Sequence, residues 1–255
     1  MGSLKAIISD IHANLEALKV VLDDINGQGI KEIYCLGDVV GYGPQPIECL
    51  ELVKKVSKLN LLGNHEEAVL QGIPANFTPR ARKALEWTQH ILLTNEQEPA
   101  DVREARRKFM NSFQIKVRLQ GVTYVHGSPR GPTREYVLPK DAQDKRKMKE
   151  IFAHMEDWAF CGHTHTPGVF SEEGGFAHPS ELMDLYILES GTKALINVGS
   201  VGQPRDGDPR ACYATFDGNR IEWRRVEYNI ERTVEMIHAC SDLDPFLGDR
   251  LREGK

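Results

Sequence analysis

LKAIISDIHAN, residues 4–14, is an apolar run that stops at an aspartate and a histidine two residues apart. Leu4–Ser9 reads as a buried strand, because a sheet covered on both faces calls for short, continuous apolar segments. Asp10 and His12 follow at once. Asn14 is a residue type that caps helices, and Leu15, Leu18, Leu22 and Ile25 then recur at helical spacing. The pattern returns twice. EIYCLG (32–37) ends in Gly37-Asp38, ahead of a helical stretch from Pro44 to Val56 with proline near its start. KLNLLG (58–63) ends in Gly63-Asn64-His65-Glu66. Strand–helix alternation implies a largely parallel sheet, and open α/β sheets bind ligands beyond the carboxyl ends of their strands. The three polar strand ends therefore belong on one edge of the sheet.

The chain then changes character. Residues 67–112 are polar and mostly helical and read as a helical insertion. From Phe113 strands dominate: FQIKVRL (113–119), then TYVHG (123–127), which again ends near a histidine. Residues 140–153 read as a helix, and WAFCG (158–162) runs into CGHTHTP (161–167), where two histidines stand one residue apart. Further strands are expected near 168–171, 184–188 and 194–198. Residues 211–216 and 220–227 read as a hairpin about Asp217-Gly218-Asn219, and a short helix begins near Ile230. With no repeat, low-complexity linker or clean boundary, residues 1–255 read as a single domain carrying the insertion and a C-terminal hairpin and helix over about 211–240.

Composition narrows the function classes. The 255 residues are 40% hydrophobic and 27% charged, an ordinary globular balance, and the net charge of -5 argues against a generic nucleic-acid binder. No apolar stretch is long enough to span a membrane. The start, MGSLKA, lacks the apolar run of a signal peptide and the Ser or Thr at residue 6 of a myristoylation signal. Five cysteines without a CxxC pair suit a reducing, cytoplasmic compartment.

The strand-end residues are Asp10, His12, Asp38, Asn64, His65, His126, His163 and His165, and they include five of the nine histidines. Each alone has a plain structural role. Gathered where strands stop, they point to metal. Mixed imidazole and carboxylate donors favour manganese, iron, zinc, cobalt or nickel over calcium or magnesium. An aspartate can bridge two such ions, and a pair about 3.5–4 Å apart can clamp a phosphoryl group and activate water. The leaving oxygen then needs a proton, which a nearby unliganded histidine would supply.

SDIHAN, LGDVVGYG, LLGNHEE, VHGS and CGHTHTP occur in that order and resemble the five blocks of the calcineurin-like metallophosphoesterase family, over about residues 4–202. The resemblance implies a four-layer αββα sandwich, with two mixed sheets flanked by helices. It implies two divalent transition-metal ions, manganese first among those named. Asp10, His12 and His165 would bind one ion, Asn64, His126 and His163 the other, and Asp38 would bridge them. Asn64 and His65 would contact the substrate phosphate, and His65 would act as general acid, with a metal-bridging hydroxide as nucleophile. Glu66 would orient His65 or place charge at a helix N-terminus.

On substrate, GDVVGYG departs from the GDYVDRG block typical of Ser/Thr protein phosphatases and lacks the arginine that would grip a phosphomonoester there. VHGS and GNHEE are similar to that branch, which includes diadenosine tetraphosphatases. INVGSVGQPRDG (196–207) is closer to compact prokaryotic phosphodiesterases. The expected function is therefore a phosphodiesterase acting on a small or nucleotide-like phosphate ester. A phosphomonoesterase, a dinucleoside polyphosphate hydrolase and a non-catalytic scaffold are the alternatives. Arg205 could approach a substrate phosphate or pair with Asp206 or Asp208, and Tyr42 could stack on a leaving group or serve packing. Arg103, Arg106, Arg107 and Lys108 read as a solvated helix face, as do Lys145, Arg146, Lys147 and Lys149. Trp87 reads as a packing anchor, and His90, His154, His178 and His238 match no block. The insertion could cap the site.

Overall fold

The computed structural model describes residues 3–255. In β1 (Lys5–Ile8) every residue is buried, and its alternation feeds two cores. Ala6 and Ile8 pack with α1 (Leu15–Gly27), while Ile7 joins a second core on the other face. β2 (Glu32–Cys35) repeats the division: Ile33 and Cys35 pack on the helix side and Tyr34 on the other. α2 (Pro46–Val56), with proline in its first turn, covers the same face as α1 through Cys49, Leu50 and Val53. β3 (Leu59–Asn60) is shorter than the expected 58–63, because the Leu62 N–H is taken by the Gln114 carbonyl as the chain returns from its excursion.

That excursion comprises α3 (Asn64–Gln71), α4 (Pro79–Gln89) and α5 (Ala100–Asn111). α3 starts at Asn64, so residues 67–71 continue the helix that carries Asn64, His65 and Glu66. Leu85, Leu92, Leu93 and Met110 join the first core, which ties the excursion to α1 and α2. Arg106 is not on a solvated face: it is buried and pairs with Glu98.

β4 (Lys116–Leu119) and β5 (Val122–Val125) follow. The helix expected over 140–153 is split at Asp144 into a 3-10 turn, Pro139–Gln143, and α6 (Lys145–Phe152). The Asp144 carboxylate accepts the Lys147 N–H at 2.9 Å and so starts a new helix there. Then come β6 (Trp158–Cys161), β7 (Gly168–Ser171), β8 (Gly175–Ala177), β9 (Leu185–Ile187), β10 (Ala194–Asn197), β11 (Ala211–Phe216), β12 (Arg220–Val226), α7 (Ile230–Ala239) and α8 (Phe246–Asp249).

The strands form two six-stranded sheets, ordered β3-β2-β1-β11-β12-β9 and β4-β5-β6-β10-β7-β8. β1, β2 and β3 are parallel, as are β5, β6 and β10, and the remaining pairings are antiparallel. Both sheets are therefore mixed. Ile7, Tyr124, Phe160, Ile196, Ala214 and Trp223 fill the space between them. Met148, Ile151 and Phe152 of α6 cover the outer face of the second sheet through Ala159, Cys161 and Leu195. The result is the four-layer αββα sandwich. The hairpin β11–β12 lies within the first sheet, with β11 beside β1. No helix among the described residues is long and apolar enough to cross a membrane.

Candidate metal centre

The loops that leave the parallel strands curl against one another: His12 N–H donates to Asp38 O at 2.9 Å in the first sheet, and Gly162 N–H to His126 O at 2.9 Å in the second. Asp10, His12, Asp38, His163 and His165 all adopt left-handed backbone, with φ between 47° and 65°. Side chains other than glycine and asparagine seldom hold that conformation, and such strain clusters at functional sites. Close packing keeps the curl tight. A Cβ on Gly63 would collide with the Asp38 carboxylate, and one on Gly41 would collide with His65 Nδ1.

The structure brings all eight strand-end residues together, and all are buried. Asp10, His12 and His165 form one group with donor atoms within 4.8 Å of one another, and Asp38, His126 and His163 form another. Asp38 Oδ2 lies 3.7 Å from His12 Nε2 and 3.4 Å from His126 Nε2, between the two groups. Asn64 Oδ1 is 3.2 Å from His126 Nε2.

Hydrogen bonds to main-chain carbonyls fix the rings. His126 Nδ1 donates to Leu36 O at 2.9 Å, His165 Nδ1 to Gln203 O at 2.6 Å, and His12 Nδ1 to Val40 O at 3.3 Å. His163 is turned the other way, with Nε2 donating to Arg134 O at 3.3 Å. A carbonyl only accepts, so in the neutral rings the opposite nitrogens carry lone pairs. Those nitrogens face each other: His12 Nε2 and His165 Nε2 are 3.0 Å apart, and His126 Nε2 and His163 Nδ1 are 3.1 Å apart. Two lone pairs at that separation repel unless positive charge lies between them. Among the described residues the buried Asp10 Oδ1 likewise has no hydrogen-bond partner. Two divalent cations, each beside one nitrogen pair and sharing Asp38, would satisfy all of these atoms, and outer hydrogen bonds of this kind are how ligand histidines are aimed.

The electrostatics agree for three of the four rings, and His126 is the exception: against burial, the charge and hydrogen bond of Asp38 raise it to about 9. Burial, then the neighbouring rings and Arg205, hold His12 and His165 well below the usual imidazole range, and burial with the His126 charge brings His163 down to about 3. These rings favour the neutral form that binds metal. Burial alone would raise Asp38, but the charges of His126 and His65 outweigh it and keep the carboxylate ionised.

His65 differs from the other rings. Among the described residues its buried Nδ1 has no hydrogen-bond partner, and the ring is wedged edge-on between Tyr42 at 4.6 Å and His12 at 4.6 Å, centroid to centroid. Among the described residues Glu66 makes no hydrogen bond to the ring. The buried Glu66 carboxylate accepts the backbone N–H groups of Asp38 at 2.9 Å, Val40 at 3.1 Å and Gly63 at 3.2 Å. It therefore pins the Asp38 loop and caps α3, which is the second of the two expected roles, at a helix N-terminus, and not the orientation of His65.

Residues 4–220 match the calcineurin-like phosphoesterase superfamily domain. The chain belongs to the calcineurin-like phosphoesterase superfamily. It is 38% identical to an uncharacterized protein of Methanocaldococcus jannaschii, over 99% of both chains. A crystal structure of a metallophosphoesterase from Sphaerobacter thermophilus superposes with a TM-score of 0.82 at 36% identity, covering 100% of each chain. A hypothetical protein from Pyrococcus horikoshii shares the fold, with a TM-score of 0.70 at 19% identity and coverage of 99% and 98%.

Within this phosphoesterase fold Arg205 stands outside the donor cluster. It pairs with neither expected carboxylate, since Asp206 is held by Arg225 and His178, and Asp208 by Arg210. Its guanidinium donates to Gln203 Oε1 at 2.8 Å and lies 5.9 Å from the Tyr42 ring centroid. Tyr136, whose ring is 3.9 Å from that of His163, and Arg134, which supplies the carbonyl to His163, carried no sequence signal. His178, matching no block, anchors the Arg205 loop through its 3.0 Å contact with Asp206.

Proposed function

We propose that this phosphoesterase is a dinuclear metal-dependent phosphodiesterase of small or nucleotide-like phosphate esters. The observation that carries the reading is the pair of facing nitrogen couples sharing Asp38, with an unheld histidine beside them. Asp10, His12 and His165 would hold one divalent transition-metal ion, and Asn64, His126 and His163 the other. Manganese is the first ion to test, ahead of iron, zinc, cobalt and nickel. Such ions, when bound, supply a positive clamp for phosphoryl oxygens and make hydroxide available near neutral pH. His65 is the ring left free to carry a proton, and it gives that proton to the departing ester oxygen. Burial holds it below the usual imidazole range against the pull of Asp38. Free cysteines, four of them buried, suit a reducing cytoplasmic setting.

The diester preference rests on the β2 loop. Gly41 and Tyr42 stand where the protein-phosphatase block carries Asp-Arg, so no guanidinium is supplied there for the extra charge of a monoester. The scaffold alternative is disfavoured by the complete donor set. The test is hydrolysis of bis-p-nitrophenyl phosphate against p-nitrophenyl phosphate in Mn²⁺, with Asp38→Asn as the blank. The reading expects the diester to be preferred and the blank to be inactive. His65→Ala should lose about 10²- to 10⁴-fold in kcat with its metal content retained. A preference for the monoester would overturn the diester assignment, and normal turnover in His65→Ala would overturn the acid.

A further inference from the structure

Beside the donor cluster lies a cleft of about 670 Å³, walled by Tyr42, the start of α4, Tyr136 and the turn around α8. Its charge is lopsided. Arg80 is matched, with Nε 2.9 Å from Asp244 Oδ2 and its guanidinium stacked 4.3 Å from the Phe246 centroid. Arg205 is not matched: among the described residues no carboxylate lies within ion-pair distance of it, and Arg250, whose partner is the oxygen of Lys255 at the end of the sequence, has no carboxylate side chain beside it. Among the described residues Arg205 Nε is buried without a partner, while Arg250 donates through Nε to the Lys255 oxygen and lies 5.8 Å from the Phe246 ring centroid, which leaves its terminal nitrogens open to the cleft. Burial, and then the charge of Arg205, bring Arg250 down to about 10. Two guanidinium groups gathered in a part-buried cleft repel each other, and an anion between them removes that cost.

Position assigns the anion. Arg205 lies over Tyr42, and the Tyr42 ring contacts His65, so one aromatic ring separates the arginine from the expected proton donor. We propose that Arg205 and Arg250 form a second phosphate subsite, and that the substrate is a phosphate ester carrying at least one further phosphate on the part not under attack. Guanidinium forks match phosphate oxygens in pairs, and Tyr42 and Tyr136 offer faces to an attached ring. Arg250 and Phe246 lie beyond residues 4–220, the stretch matched by the family domain, so part of this subsite comes from chain outside it. The inference rests on the phosphoesterase reading for its reaction, although not for its binding.

The experiment uses the Mn²⁺-loaded protein and two pairs of compounds. Turnover is measured on thymidine 5′-(p-nitrophenyl phosphate) with and without a 3′-phosphate. Calorimetry compares thymidine 3′,5′-bisphosphate with thymidine 5′-monophosphate. The 3′-phosphate is expected to raise kcat/KM about tenfold or more, chiefly through KM, and to tighten binding by a similar factor. Arg250→Met abolishes that advantage and Arg250→Lys, which keeps the charge without the fork, restores part of it; thermal melts check that both fold. An equal advantage in wild type and Arg250→Met, or none in wild type, overturns the subsite. If no ester is hydrolysed while the Arg250-dependent binding advantage persists, the subsite stands and the hydrolase reading falls. If both esters are cleaved without any advantage, the reverse holds.

Discussion

At Glu66 one buried carboxylate satisfies three backbone N–H groups from two loops. Glu66→Ala would strand those donors in the interior, and we expect a loss of about 3 kcal/mol or more of stability, read by urea denaturation. Glu66→Gln keeps one acceptor oxygen and should lose less; equal stability of both variants and wild type would refute the pinning role. Gly41 has φ +87° and lies against His65 Nδ1. Gly41→Ala should therefore displace the ring and cut kcat while leaving metal content, measured by plasma emission, close to wild type. Sequence made the donor residues legible, because their types and order repeat a known pattern. For Glu66 it left two roles open, of which the helix N-terminus is the one the structure shows, and it missed the hold on the Asp38 loop, because those partners are main-chain groups, which every residue possesses. The carbonyls of Leu36, Val40, Arg134 and Gln203, which aim the four rings, were invisible for the same reason.

Among the elements, the three parallel strands at the start were legible from their apolar runs and polar ends. The second sheet followed from family resemblance and not from the alternation pattern. The place of the hairpin was not legible at all: β11 pairs with β1 across some two hundred residues, and local pattern carries no such pairing. A polar tie locks the hairpin to α1. Asp24 accepts from Tyr213 Oη at 2.5 Å and from Arg224 Nε at 2.9 Å, and Gln28 Nε2 donates to the Tyr213 hydroxyl at 2.6 Å. The Arg224 hydrogen bond, opposed by burial and helped by Tyr213, holds the Asp24 carboxyl below its usual value. A depressed carboxyl stabilises the fold at pH above its unfolded value of about 4, and that contribution is lost as pH falls through the lower folded value. The difference in Tm between wild type and Asp24→Asn should thus be largest above about pH 5 and shrink below about pH 4. A difference that stays constant from pH 7 to pH 3 in calorimetry would show that the tie acts without its charge.

For the molecule as a whole, the candidate ligands reach inward from both sheets, so bound metal would join the two halves. Ions present at about a thousand times their Kd would add about 4 kcal/mol per site, or about 10 °C in Tm for a chain of this size. Scanning fluorimetry with and without a chelator should show that drop, and Asp38→Asn should show much less of it. An unchanged Tm in wild type after verified metal removal would refute the cross-link.

The arrangement of those ligands also sets an order of events. The seven come from five loops on two sheets, and His12 faces His165 across 153 residues of sequence. Neither ion would have its full set of ligands until the two sheets had docked. Contacts of such separation form late, after the entropy of closing long loops has been overcome. Metal uptake by these residues would then be the closing step of the chain's maturation and not its seed, and the rate at which a refolding sample captures Mn²⁺ would serve as a clock for the docking of one sheet on the other.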